Sequence, residues 1–241
     1  MSRLAIALSA ALLGSGAVGA QDALKFPTSL GELVITPLGH GSLRLDIAGM
    51  VIHVDPYGQV ADYSSQPKAD WVWITHDHPD HYDEAAIAAV RKPGTQFLLD
   101  AASADRLGEE ATVLRNGDTT QVGAIAVKAV PAYNIKQKRT NGQPYHPKGA
   151  GNGYLVNFGD FVVHIGADTE CVPEMHDLGP VDVSFLPINL PYTMTPQDAA
   201  ECFRVIHPKV AVPYHQGDYD PQVVADALRD TDIDVRVLPL R

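Results

Sequence analysis

Apolar and polar positions alternate with period two along much of this chain, in short runs separated by glycine, proline and acidic turns. Residues 33–37, 42–47 and 50–55 read as strands, the last two joined by Ile47-Ala48-Gly49 as a meander. Residues 71–75 form another apolar, β-prone run. An Ala-rich stretch at about residues 84–91 has helical character and is closed by Lys92-Pro93-Gly94. A strand at 95–99, a short helix at 101–108 and a strand at 112–115 follow. The second half opens on a strand at 123–130, continues as a hairpin of 153–158 and 161–165 about Gly159-Asp160, and reaches a buried strand at 181–187. Thr195 as N-cap, Pro196 at the first helical position and Asp198 in the first turn then start a helix running to about residue 206. Its core face is Ala199, Ala200, Phe203 and Ile206. A strand at 210–213, a helix at 221–228 and a strand at 234–238 complete the chain, and residues 21–31 read as a linker. Strands alternating with helices predict an α/β fold.

The first twenty residues break that pattern. Arg3, an apolar run at 4–13 and small residues ending Val18-Gly19-Ala20 have the layout of a secretory leader. The apolar run is too short to span a bilayer. The expected organisation is a signal peptide at 1–20 and a single domain at 21–241, exported to the periplasm or the exterior, with no integral membrane segment in the mature chain. A length of 241 residues with 45% hydrophobic content suffices for one large layered domain. Eighteen Lys and Arg against 29 Asp and Glu give a formal charge of −11, a field that repels long nucleic acids and anionic membranes. Cys171 and Cys202 are the only cysteines, too few for a disulfide scaffold. An oxidising compartment would allow them to pair, and otherwise Cys171 reads as a small buried hydrophobe.

Where the run at 71–75 stops, Thr75-His76-Asp77-His78-Pro79-Asp80-His81 packs three histidines and two acids into one short stretch. Side chains two apart on an extended segment share a side, so His76 and His78 can converge on one ion. Pro79 biases His78 towards extended backbone. Asp80 and His81, at the turn into the helix, can address a second ion. The pattern reads as a nest for one or two divalent metals. It resembles the T-H-x-H-x-D-H signature of the metallo-β-lactamase superfamily, which implies a four-layer αββα sandwich of two mixed sheets with outer helices.

The resemblance extends over nearly all of the mature chain. Leu38-Gly39-His40-Gly41-Ser42 is similar to the G-H-[AG]-S start of the branch holding L-ascorbate-6-phosphate lactonase-like and N-acyl-phosphatidylethanolamine phospholipase D-like hydrolases. It implies that His40 faces the active site as a substrate-contacting or supporting group; taken alone, His40 is equally a loop histidine. Asp55 is implied to brace the ligand loop, against a plain turn role at a strand end. Gly166-Ala167-Asp168-Thr169 resembles the family's G-D-T motif, with Asp168 able to give one oxygen to each of two cations. Ala167, in the place of a glycine, fits only if its φ is negative. His215, in Pro213-Tyr214-His215, has the position of the last metal histidine and is assigned to the second ion. Asn134 stands where a third histidine of the first ion is usual, and a neutral amide is a weak zinc ligand. Either His146, in His146-Pro147-Lys148-Gly149, takes its place, or the first ion has two histidines and the bridging acid.

The resulting expectation is a metal-dependent hydrolase. His76, His78, His146 and Asp168 hold one cation, Asp80, His81, Asp168 and His215 hold another, and Asp80 and His40 take catalytic roles. Imidazole and carboxylate donors suit zinc, and also manganese, iron or nickel. The partner is a small molecule with a lactone, amide or ester-like bond. Alternatives are a phosphodiester substrate, or a metal-binding protein without turnover, the latter suggested by Asn134. Lys136, Lys138 and Arg139 lie beside the site in an otherwise acidic chain, as a rim that attracts an anionic substrate or as a solvated loop turning at Asn141-Gly142.

Overall fold

A computed structural model describes residues 23–238 and 240; the expected leader lies outside the described residues. Two seven-stranded sheets form, each in strict chain order. The first holds β1 (Leu24–Thr28), β2 (Gly31–Gly39), β3 (Ser42–Ile47), β4 (Met50–Val54), β5 (Trp71–Trp73), β6 (Gln96–Leu99) and β7 (Thr112–Val113). The second holds β8 (Thr119–Val122), β9 (Ile125–Ala132), β10 (Gly151–Asn157), β11 (Val162–Ile165), β12 (Val183–Pro187), β13 (Val210–Tyr214) and β14 (Asp234–Val235). In each sheet the first four strands pair antiparallel and the last four pair parallel, so the fourth strand, β4 or β11, belongs to both ladders.

Period-two alternation builds the layer between the sheets. Leu33 and Ile35, Leu43 and Leu45, and Ile52 and Val54 from the first sheet meet Val127, Tyr154, Val163, Phe185 and Val212 from the second in one cluster. The opposite face of the first sheet packs Val72, Ile74 and Phe97 on α1 (Glu84–Val90), while α2 (Ala101–Leu107) edges the same cluster through Ala104 and Leu107. The opposite face of the second packs Leu186, Ile188 and Ala211 on α3 (Pro196–Ile206) and α4 (Gln222–Ala227). Three apolar layers thus separate four layers of secondary structure, the αββα sandwich expected. The helices start at built caps. Asp83 accepts from the Ala85 and Ala86 amides at α1, and Thr195 with Asp198 forms a capping box at α3.

Three expectations need correction. The linker at 21–31 contains strand β1, which pairs with β2 from Leu24 opposite Ile35 to Thr28 opposite Gly31, its Phe26 ring 4.9 Å from that of Phe161. Strand β8 was absent from the pattern because Thr119, Thr120 and Gln121 are polar and only Val122 is buried, as an edge strand permits. The final strand stops at Val235, short of the expected 238. Among the described residues no helix is long and apolar enough to cross a membrane.

Candidate metal centre

Parallel strands deliver their following loops to one edge of a sheet, and the ligand-type residues gather at that rim. The loop after β5 carries His76, His78, Asp80 and His81. It is tightened by the amides of His81 and Tyr82, which both donate to the His78 carbonyl at 3.0 and 2.8 Å. His76, His78, His146 and Asp168 form a first group, with one donor atom of each within 4.8 Å of every other. His78 Nδ1 lies 3.2 Å from His76 Nε2 and 3.1 Å from His146 Nε2, and His146 Nε2 lies 3.3 Å from Asp168 Oδ2. Strand β10 runs close beside it: a Cβ on Gly151 would stand 2.9 Å from the His76 Cβ, so only glycine fits there.

His40, Asp80, His81 and His215 form a second group within the same limit. His40 Nε2 is 2.9 Å from Asp80 Oδ2, and His215 Nε2 is 3.7 Å from that oxygen. Asp168 Oδ1 lies 3.4 Å from His81 Nε2 and 3.3 Å from His215 Nε2. Asp168 therefore turns one oxygen to each group. A Cβ on Gly41 would fall 2.8 Å from His81 Cε1, so the glycine after His40 makes room for this imidazole.

Hydrogen bonds behind the rings fix which nitrogen faces the rim. Asp55 is buried, accepts from the Thr75 amide at 2.8 Å and hydroxyl at 2.7 Å, and lies 2.8 Å from His81 Nδ1. His81 Nδ1–H donates to it, which turns Nε2 towards Asp168. The Thr75 oxygen, having donated to Asp55, accepts from His76 Nδ1 at 3.0 Å, and His76 Nε2 is released in the same way. Asp55 thus braces two imidazoles and does not itself face the rim, which decides between its two readings. Asn134 has the corresponding place behind His146. Its Oδ1 accepts from the His146 amide at 2.7 Å and from His146 Nδ1 at 2.9 Å, while its Nδ2 donates to Glu170 Oε1 and to the Tyr192 carbonyl. His146, not Asn134, stands in the first group, and Asn134 orients it. Glu170 also accepts from the Lys136 and Gln137 amides, tying this loop to the strand end that carries Asp168.

Three buried atoms at the rim make no hydrogen bond: His81 Nε2, His215 Nε2 and Asp168 Oδ1. Leaving such groups unsatisfied costs about 1–3 kcal/mol each, and their common direction fits a shared cation. Burial pushes the His76 and His78 imidazoles below their usual range, with neighbouring histidines adding to it, so both are neutral and able to coordinate. Burial also disfavours the charged forms of Asp168 and Asp80, but the imidazoles around them outweigh it and hold both carboxyls far below the ordinary range. His81 is opposed by burial yet held well above its usual value by Asp168 and Asp55. A proton and a cation would compete for its Nε2.

Backbone strain concentrates at the same rim. His40, Asp55, Ala167 and His215 all have φ between 46° and 57°, a left-handed conformation costing on the order of 1–2 kcal/mol each outside glycine. Ala167 was expected to need a negative φ; its φ of +57° corrects that, with its amide held by the Tyr214 hydroxyl at 2.8 Å. Of the two readings of Cys171, pairing holds: it forms a disulfide with Cys202 and so ties the segment after Asp168 to α3. His53 and His164 are buried away from the rim, His53 against the Pro67 carbonyl and His164 against the Ser184 hydroxyl. Glu170, and Asn189 at 3.2 Å from His215 Nδ1, carried no signal in the sequence beyond being polar residues near strand ends.

A cavity of about 350 Å³ opens beside the first group, lined by His76, His78, His146 and Asp168 and also by Arg139, Asn141, Gln143 and Tyr145.

The chain resembles known proteins over most of its length. A putative metal-dependent hydrolase of Parabacteroides distasonis, known from its crystal structure, is 44% identical, superposes with a TM-score of 0.87, and is matched over 92% of this chain and 100% of that one. A UPF0173 metal-dependent hydrolase of Methanopyrus kandleri is 28% identical over 226 residues, 86% of this chain and 96% of its own. The metallo hydrolase Igni18 of Ignicoccus hospitalis shares the fold at a TM-score of 0.70 and 22% identity, over 86% of this chain and 95% of that one. The beta-lactamase superfamily domain matches residues 34–215, from strand β2 to the last histidine of the rim, and the chain belongs to that family.

Proposed function

We propose that this member of the superfamily is a metal-dependent hydrolase that cleaves a lactone, amide or ester-like bond of a small molecule in the cavity beside His76, His78 and His146. The observation that carries this reading is Asp168, a buried member of the first group whose other oxygen is turned to the second, with orphaned imidazole nitrogens facing it. The hydrolase names of the relatives support it. A divalent cation held there, zinc being the first choice for these donors, supplies Lewis acidity and brings the pKa of a bound water to about 7.

The chain's own residues do the rest. Hydrolysis removes one proton from the attacking water and delivers one to the leaving oxygen or nitrogen as the acyl bond breaks. Asp80, about a third exposed and ionised, accepts a hydrogen bond from the attacking water and orients it. His40, hydrogen-bonded to the same carboxylate at 2.9 Å, is the group placed to carry the proton onward. Burial lowers the His40 pKa and the bond to Asp80 partly restores it. The case for an inert metal binder rested on Asn134, and that case weakens because Asn134 holds His146 in place. Export is proposed as well, from the leader-like residues 1–20 and from a disulfide that suits an oxidising compartment.

Elemental analysis of the purified protein, coupled to a panel of lactones, amides and phosphodiesters assayed with and without a chelator, tests the reading. Stoichiometric metal and chelator-sensitive acyl hydrolysis are expected. Bound metal with no hydrolysis across the panel would leave only a metal-binding protein, and turnover confined to phosphodiesters would replace the substrate class.

A further inference from the structure

Part of the cavity lining belongs to a small hairpin, residues 134–146. Asn134 and His146 close its base through the Asn134 amide and the His146 carbonyl at 2.9 Å. The Arg139 amide donates to the Gln143 carbonyl at 2.7 Å, and the Gly142 amide donates back to the Arg139 carbonyl at 2.9 Å. Gly142, at φ +83°, makes the turn that Asn141-Gly142 predicts. One rigid element therefore carries both His146, in the first group, and Arg139, on the cavity wall.

Arg139 differs from most of the arginines among the described residues; Arg115 likewise has no ion pair but does not line the cavity. Arg44, Arg91, Arg106, Arg204, Arg229 and Arg236 each pair with a carboxylate. In a chain of net charge −11, Arg139 has no carboxylate partner among the described residues. It makes one bond, from Nη2 to the Tyr145 carbonyl at 3.3 Å, and its guanidinium lies 5.2 Å from the centre of the Tyr145 ring. That ring is itself held edge-on by Tyr192 at 5.0 Å. The remaining guanidinium donors have no partner among the described residues, and Asn141 and Gln143 line the same cavity. Of the other cations of this loop, Lys136 faces Asp198 at 3.9 Å, Lys148 pairs with Glu174, and Lys138 does not line the cavity. Asp77 is the one acid on the cavity lining besides Asp168.

We propose that Arg139 is a specificity-determining residue and that the substrate carries an oxyanionic group, a carboxylate or a phosphate, in addition to the bond that is cleaved. Arg139 grips that oxyanion with its planar fork, helped by Asn141 and Gln143, and so places the scissile bond over His76, His78 and His146. The cavity volume of about 350 Å³ limits the substrate to a small molecule. This inference rests on the hydrolase reading for the word substrate, but the anion site does not.

The test uses metal-loaded protein, wild type and Arg139→Gln, with Arg139→Lys as the conservative variant. Turnover is measured on a γ-lactone bearing a carboxylate, on its methyl ester and on the corresponding phosphate-bearing lactone. Calorimetry measures binding of the ring-opened carboxylate and phosphate products and of the uncharged methyl ester. Arg139→Gln is expected to lower kcat/KM on the anionic lactones and affinity for the anionic products by about 10- to 100-fold. Metal content and the neutral ester should be unchanged, and Arg139→Lys should recover part of the loss. The phosphate and carboxylate arms show which oxyanion is preferred. An equal loss on charged and neutral compounds, or no loss on either, overturns the proposal. Absence of all turnover with Arg139-dependent binding intact would instead defeat the hydrolase reading and leave the anion site standing.

Discussion

The two halves of the molecule repeat one plan and use it for opposite purposes. Each is a seven-stranded sheet in chain order whose fourth strand joins an antiparallel ladder to a parallel one. An aspartate follows each fourth strand closely, Asp55 after β4 and Asp168 after β11, with a left-handed residue at or beside it. Asp55 is saturated: Thr75 and His81 occupy both of its oxygens. Asp168 is just as buried, yet its Oδ1 has no hydrogen-bond partner and faces two imidazoles. The same strand end thus gives a brace when its carboxylate is satisfied by the protein, and a ligand when it is not. The orphaned oxygen, not the burial or the charge, separates the two roles.

Substitution at each aspartate separates them most sharply. Asp168→Asn is expected to strip metal from both groups and take activity below detection, because the amide cannot serve two cations. Elemental analysis showing full metal in this variant would erase the distinction. Asp55→Asn should keep the metal sites populated but lower metal affinity or activity about 10- to 100-fold, the usual cost of disturbing an outer partner of a ligating histidine. A loss as complete as that of Asp168→Asn would make Asp55 a ligand. A smaller step is expected at the brace of the second half. Asn134→Ala should weaken the first group about 10-fold and His146→Ala more. Metal titration in which Asn134→Ala is the worse of the two would restore Asn134 to the ligand position.

The smallest effect concerns a feature that the two halves share. Each fourth strand buries a histidine, His53 on β4 and His164 on β11, and burial lowers both pKa values to about 4, the Pro67 carbonyl raising that of His53 slightly. The unfolded chain takes up these protons first as pH falls. The contribution of these two histidines to stability is therefore complete above pH 6.5 and declines from there to about pH 4, by on the order of 3 kcal/mol for each. In metal-loaded protein, His53→Gln and His164→Gln should each remove about one proton from the slope of unfolding free energy against pH in that window. An unchanged slope in either variant would show that its imidazole is already charged in the fold.

What could be read from the chain follows the same division. In the first half the ligand-type residues are contiguous, from Thr75 to His81, so a strand-end motif displays them at once. In the second half Asn134, His146, Asp168 and His215 are scattered over four segments, and only the fold brings them together. The α/β class was legible because alternation and helix caps are local, whereas the αββα order of the layers was implied by the family signature. Strands β1 and β8 were not, because an edge strand needs apolar side chains on little of its length. Ala167 defied the expected sign of φ, since the Tyr214 hydroxyl that holds its amide comes from 47 residues away. The roles of Glu170 and Asn189 depend wholly on such distant contacts, and nothing in their own neighbourhood announces them.

Anomalous diffraction at the metal edge from crystals grown with zinc, and again with manganese, addresses Asp168 most directly. Two peaks are expected about 4 Å or less apart, one among His76, His78, His146 and Asp168 Oδ2, the other among Asp80, His81, His215 and Asp168 Oδ1. Peaks that leave Asp168 outside coordinating distance, or none at the rim in metal-replete crystals, would contradict the account.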